Sequence, residues 1–442
     1  MARLSRESTA VAAGKRATKS DFSRGDRRRV ELRGDCRAGF GRPGYADRLG
    51  DAGSCSGVLP VILSSRDRGP LMSITDVCLH PVSVERSYET QIAQEGGGSR
   101  ARVARSPFVF IEAQTADGLT GWGEISDVPA AEYPCLDGLR SELRGLLIGV
   151  DPFDIQHVHA GLSELYPFAV DQEWPRLVSA AVDMLCYDLQ AQRVGVPVFK
   201  LLGGAQRTSV PVSWVAFIRD DLQLLKQEIE EKVARGFWAF KLKVGVDLEL
   251  DDARLEVMRQ AAGPEANIKI DPNGGWTLDE AIVNIPRLAR HGISGVETPI
   301  AFRDPRQLAE LRRHVDVPLI EHVFTKEDAV RYIRHESLDW FNLATTGCGG
   351  IWPARCIAEM AQAAGVGILL GSTVELGPGT LAQLHLAASI RDLTLPSDLI
   401  GPEMYQDDVL DAPLCYASGC LTVPSVPGLG VGMDRTALER LA

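Results

Sequence analysis

A chain of 442 residues, 45% of them apolar, with a formal charge of −12, reads as a soluble globular protein of two or three domains with a large core. The acidic balance argues against a nucleic-acid partner, and no apolar run reaches the ~20 residues of a membrane span. Nine cysteines, scattered and without a C-x-x-C pair, suit reduced thiols in the cytoplasm rather than a disulfide framework or a zinc site.

The charge is uneven. Residues 1–71 hold 15 Lys+Arg against 8 Asp+Glu, leaving 32 against 51 in the remainder. This Arg-, Ser- and Gly-rich stretch lacks sustained periodicity and reads as disordered. A transit peptide would be poorer in acids, and Met72-Ser73-Ile74-Thr75 looks like a natural start. Residues 1–71 are therefore expected to be an upstream extension outside the fold.

Strands are expected at 74–84 and 107–115. The loop between them, Ser87 to Ser106, carries Gly96-Gly97-Gly98 and the arginines Arg100, Arg102 and Arg105, which suits a mobile flap that meets a carboxylate. A tight turn, Asp117 to Gly121, leads to a third strand at Trp122-Gly123-Glu124. Helical spacing follows at 136–149, 152–165 and 174–193, the last ending in Gly195-Val196-Pro197. Three strands and then three helices predict a small α+β domain, 72–205. From Val210 strand and helix alternate strictly, with strands at 211–217, 239–244, 267–271, 294–298, 317–322, 339–345 and 366–371 and helices such as 221–235 and 250–262. Repeated βα units at this spacing predict parallel strands closed into a barrel over 206–400. The Pro- and Gly-rich tail, 401–442, is expected to be irregular and to return to the first domain.

The stretch Phe240-Lys241-Leu242-Lys243-Val244 has two faces, because side chains alternate along a strand. Phe240, Leu242 and Val244 share one, while Lys241 and Lys243 share the other and point into a polar cavity. Each of the next three strands ends in an acid: Asp271, Glu297 and Glu321, at steps of 26 and 24 residues. Barrel active sites lie at the C-terminal strand ends. Three carboxylates converging there would repel one another without a divalent cation, and oxygen ligands favour Mg2+ or Mn2+ over zinc. Parity does not decide the third position, since Leu319/Glu321 and Ile320/His322 are both consistent faces. A hard cation prefers the carboxylate, so Glu321 is the expected ligand and His322 its neighbour.

These residues resemble the enolase superfamily, in the mandelate racemase and muconate lactonizing enzyme branch. The resemblance rests on Lys241-Leu242-Lys243, Asp271-Pro272-Asn273-Gly274-Gly275-Trp276, Glu297-Thr298-Pro299 and Gly349-Gly350 in order, on Trp122-Gly123-Glu124, and on the run from Ala180 through Asp188 to Gly203-Gly204. Glu321-His322 looks like a pair found in some acid-sugar dehydratases of that superfamily, and Thr373 to Thr380 looks like its seventh-strand Glu motif. The resemblance implies an α/β fold, a modified (β/α)8 (TIM-like) barrel with an N-terminal α+β capping domain. It also implies a shared half-reaction: a carboxylate substrate meets Mg2+, a base removes the α-proton, and an enediolate forms. Lys243 is then the base, Lys241 stays charged beside it, and Glu375 joins the catalytic group. Arg100, Thr345 and Thr373 are candidates for substrate binding.

One position departs from the pattern. Where the subgroup has a second lysine on the sixth strand, this chain has Ala344. Nor is the His-Asp dyad of the mandelate racemase type present. One-base chemistry is therefore expected: syn β-elimination of water from a hydroxy-carboxylate such as a sugar acid, or else cycloisomerisation or epimerisation. A barrel that only binds a ligand is a third reading, opposed by Lys241, Lys243 and Asp271. The expected partner is a small carboxylate, with the chain in a homo-oligomer.

Overall fold

A computed structural model describes residues 72–442 apart from Ala101, Val170, Asp171 and Val431. The expectation for residues 1–71 lies outside the described residues. The described chain opens with an antiparallel sheet of β1 (Ile74–Thr90), β2 (Val103–Thr115) and β3 (Thr120–Ile125). β1 and β2 run longer than the alternation suggested, leaving 91–102 as the flap instead of Ser87 to Ser106. A register shift between Glu85/Arg105 and Thr90/Val103 carries the pairing past the charged residues that break the sequence pattern.

Three helices cover this sheet: α1 (Leu136–Leu147), α2 (Ile155–Leu165) and α3 (Trp174–Val194). Most of α3 is buried, because it lies against β3 on one side and the barrel on the other. Gly123 makes the β3 contact possible, since a Cβ there would meet the Ala181 carbonyl. Asp188 of α3 accepts hydrogen bonds from the Trp122 and Leu429 amides, joining the helix to the sheet and to the C-terminal segment.

A short helix, α4 (Val198–Leu201), and a strand, β4 (Ser209–Pro211), lead into the barrel. Its parallel strands are β5 (Trp214–Ala216), β6 (Ala239–Lys243), β7 (Asn267–Asp271), β8 (Gly295–Glu297), β9 (Leu319–His322), β10 (Trp340–Leu343) and β11 (Gly367–Leu370), neighbours in space as in sequence. Around them run α5 (Leu222–Ala234), α6 (Leu248–Ala262), α7 (Leu278–Ala289), α8 (Pro305–His314), α9 (Lys326–His335), the short α10 (Thr345–Cys348), α11 (Ile351–Ala364) and α12 (Gly377–Ser389). The helix starts carry local start signals: Asp221, Asp247, Asp304 and Thr325 cap the first turns of α5, α6, α8 and α9, and Thr277 with Glu280 forms a capping box on α7. Strand residues facing the helices, such as Phe240, Leu242, Ile268, Ile270 and Val296, are fully buried.

The ring closes without an eighth regular strand. The segment 393–398 bridges β11 through Leu393 to Ile368 and the start of the barrel through Ser397 to Val212. The Asp398 amide also donates to the Leu370 carbonyl, and the Ser397 amide to that of Pro211. The chain ends with β12 (Tyr416–Ala417) and β13 (Cys420–Thr422), which pair beside β4, and with α13 (Arg435–Leu441), which lies on β1 and joins Arg435 to Glu112 of β2 at 2.6 Å. No helix among the described residues is long and apolar enough to cross a membrane, and the seven described cysteines are unpaired.

Candidate active site

The pairing Lys241↔Lys269 and Lys243↔Asp271 puts Lys241, Lys243, Lys269 and Asp271 on the inner face of the ring. Ile270↔Val296 carries the same face to Glu297 of β8. Lys243 Nζ lies 2.6 Å from Asp271 Oδ2, and Lys241 Nζ lies 3.0 Å from Glu297 Oε1 and 3.5 Å from Asp271 Oδ2. A residue that the sequence reading missed completes the group: Asp398, on the closing segment, reaches Lys241 Nζ at 2.7 Å and Lys269 Nζ at 2.8 Å. Burial alone would pull the Lys241 ammonium down, but Asp398, Glu297 and Asp271 outweigh it and hold the group well above the usual lysine range. Burial would likewise raise the Glu297 carboxyl, yet Lys241 and His322 hold it well below the usual carboxylate range. Lys241 and Glu297 thus support each other's charged forms.

The strand register separates the two candidates for the third acid. Glu297 pairs with Ile320, so Ile320 and His322 share its inner face and Glu321 turns to the other. His322 Nε2 stands 3.2 Å from Glu297 Oε1. Glu321 is instead fully buried behind the strand, where Oε1 accepts from Thr298 Oγ1 and the His322 amide and lies 3.4 Å from Arg303. Burial raises its carboxyl, only partly offset by Arg303 and His322. Of the two candidates, His322 is the one in contact with Glu297, while Glu321 contacts Thr298 and Arg303.

A cleft of about 320 Å3 opens above these groups between barrel and cap. Lys241, Lys243, Asn273, His322, Ala344 and Asp398 line its barrel side. Arg100 is the one flap arginine in its wall; Arg102 pairs toward Glu89 and Asp220, and Arg105 with Glu85. The cleft also takes Arg86, Arg176 and Arg303, none of which stood out in the sequence because each sits alone in an ordinary amphipathic or loop setting. Glu95 closes the flap onto the barrel by accepting the Phe302 amide at 2.6 Å.

Two expectations on the far wall are corrected. Thr345 is buried, its amide donating to Gln383, and it does not reach the cleft; Thr346, one residue on in the α10 turn, does. Glu375 is fully buried and does not line the cleft either. Its carboxylate accepts from Thr346 Oγ1, Thr373 Oγ1, the Thr373 amide, Ser372 Oγ and Gln383 Nε2. Buried and engaged in this way, it holds Thr346, Ser372 and Thr373 as a hydroxyl cluster on the wall where Ala344 stands. The turn is tight: Val374 has φ of 57°, and the Glu375 carbonyl lies hard against Gly401.

Buried oxygens without hydrogen-bond partners remain on Asn273 (Oδ1), Glu297 (Oε2) and Glu321 (Oε2). The Asn273 and Glu297 oxygens lie on the side of Asp271 and suit a hard divalent cation, whereas that of Glu321 belongs to the other face of β9. Among the described residues no three acidic, histidine or cysteine side chains form a ready-made metal cage, and the Lys241 ammonium lies between Asp271, Glu297 and Asp398.

Comparison with known proteins adds the family. Residues 89–203 match the mandelate racemase / muconate lactonizing enzyme N-terminal domain, and residues 224–437 match the enolase C-terminal domain-like family. Muconate cycloisomerase 1 of Rhodococcus opacus is 31% identical over 377 residues, covering 83% of this chain and 99% of its own. N-succinyl-L-Arg/Lys racemase of Bacillus cereus is 28% identical, covering 76% and 90%. Among solved structures, the dipeptide epimerase of Enterococcus faecalis V583, complexed with Mg and the dipeptide L-Leu-L-Tyr, superposes with a TM-score of 0.72 at 26% identity, covering 81% of this chain and 99% of that one.

Proposed function

The chain belongs to the mandelate racemase / muconate lactonizing enzyme branch of the enolase superfamily, and from that premise we propose that it is a divalent-metal-dependent isomerase that moves the proton α to a substrate carboxylate with one lysine. The observation that carries this reading is the asymmetry of the cleft: Lys241 and Lys243 stand on β6, while across the ring β10 is followed by Ala344. Two-base inversion at carbon has no second base there. The relatives include a muconate cycloisomerase and an N-succinyl-L-Arg/Lys racemase, and lysines on one face alone support the cycloisomerase reading over inversion.

Asp271 and Glu297, with the amide oxygen of Asn273, would hold Mg2+, and Mn2+ would serve as well, with His322 beside Glu297. A bound divalent cation supplies positive charge beside the carboxylate and so lowers the cost of the enediolate. Lys243, at the cleft, takes the α-proton in its neutral form; the electron pair moves into the carboxylate. Lys241 stays an ammonium, held by Asp398 and Glu297, and faces the same developing charge. In cycloisomerisation the bond from the neighbouring carbon to a carboxylate oxygen breaks once Lys243 has taken the α-proton, leaving a C=C bond, and in the reverse, ring-closing direction that bond forms and the same lysine delivers its proton to the α-carbon. The hydroxyl cluster of Thr346, Ser372 and Thr373 favours a second reading, syn elimination of water, in which Lys243 hands its new proton to a departing hydroxyl.

The test is α-proton exchange in D2O, followed by NMR across a panel of carboxylic acids. Exchange is expected for at least one acid, lost in excess chelator and restored by Mg2+ or Mn2+. Exchange undiminished in chelator overturns the metal role. A lactone product supports the first reading, and a keto acid formed with loss of water supports the second.

A further inference from the structure

The turn that follows β8 is strained. Phe302 has φ of 63° and Arg303 φ of 44°, left-handed conformations that are disfavoured for residues with a Cβ. Phe302 gains nothing by packing, since it is 86% exposed. The turn is held from outside, on two sides. From the barrel, the Tyr332 hydroxyl donates to the Arg303 carbonyl at 3.1 Å. From the cap, Glu95 Oε1 accepts the Phe302 amide at 2.6 Å.

Glu95 is itself set by its neighbours. Its stem lies on Gly274, where a Cβ would come within 3.3 Å of Glu95 Cγ. The Gly96 amide donates to the Gly274 carbonyl at 3.0 Å, and the Gly274 amide donates to the Thr298 carbonyl at 2.7 Å. The tip of the flap, the loop after β7 and the turn after β8 are thus tied to one another by their backbones. What the turn carries is Arg303, whose half-buried guanidinium lines the cleft 3.4 Å from Glu321 and 5.3 Å from the centroid of Phe324. A planar fork of donors is useful only at the angle its backbone gives it.

We propose that Glu95 is a positioning residue, acting through the 302–303 turn to hold Arg303 at the cleft. The proposal rests on the function read above only where turnover is measured.

Hydrogen exchange of the full chain, read by peptide mass spectrometry without substrate, is the first measurement. Glu95→Ala should speed exchange of the 300–304 amides about tenfold, the scale of one charge-assisted hydrogen bond, with the melting temperature within about 2 °C of wild type. Glu95→Gln keeps an acceptor oxygen and should stay near wild type. Asparagine takes the left-handed conformation readily, so Phe302→Asn should restore most of the protection in the Glu95→Ala background. With an acid that exchanges its α-proton as substrate, Glu95→Ala should raise KM about tenfold and leave kcat within about twofold, and Phe302→Asn should again restore it. Unchanged exchange at 300–304 in Glu95→Ala, a defect that Phe302→Asn leaves in full, or an unaltered KM overturns the proposal. Hydrogen exchange needs no substrate, so failure to find any exchanging acid would count against the proposed function alone and leave Glu95 to be judged by the protection of the turn.

Discussion

Lys243 is the residue on which the proposed chemistry turns. Lys243→Ala should lower α-proton exchange by at least about a hundredfold, the scale of lost general-base catalysis, with little change in melting temperature because its partner Asp271 keeps the Asn273 amide. Exchange at the wild-type rate would assign the base elsewhere. Glu375 acts at one remove, through the hydroxyls it holds. Glu375→Gln should raise KM more than it lowers kcat, and Thr373→Ser should be milder; a pure kcat loss would place Glu375 in the proton path instead. Lys241, Lys243, Asp271 and Glu297 were legible because strand alternation and βα spacing repeat. The face of Glu321 was not, since alternation along one strand cannot say which side its neighbour shares. Asp398 and Arg176 sit in no repeating pattern, so only tertiary structure reveals that they reach the cleft.

At the scale of elements, α12 joins cap to barrel through Glu124. This β3 side chain, fully enclosed, accepts the Leu376 and Gly379 amides at the helix N-terminus. Burial, opposed by those amides and by Ser126, pushes its carboxyl up to about 8. Because the folded value lies above the unfolded one near 4.5, the stability it contributes is complete below about pH 4.5 and is lost as pH rises through about 8. Glu124→Gln should therefore flatten the fall in melting temperature between pH 5 and 8.5. A slope identical to wild type would show that this group is already ionised in the fold. The helices at 136–149, 152–165, 174–193, 221–235 and 250–262 and the barrel strands from 239 to 371 were readable to within a few residues from apolar period and alternation. The flap was drawn too wide in the sequence because β1 and β2 stay paired across charged residues whose alternation had lapsed.

For the whole molecule, the cap, the barrel and the returning tail share contacts from β1 to α13 within the described residues. Met72 is buried and Ile74 begins the first strand, so a chain beginning at Met72 should melt within about 2 °C of the full chain and turn over equally, as the sequence reading of residues 1–71 expects. A large loss in either would make residues 1–71 part of the working protein. Seven barrel strands announced themselves by β-propensity, whereas 393–398 carries Thr, Pro, Ser and Asp and gave no strand signal. That closing segment has a consequence in time. A hoop fastened by a clasp opens first at the clasp, so the amides of Thr394, Ser397 and Asp398 should exchange with solvent sooner than those of β7. The clasp carries the carboxylate that both Lys241 and Lys269 lean on. Each loosening would briefly withdraw that counter-charge, making the charge on Lys241 follow the breathing of the ring.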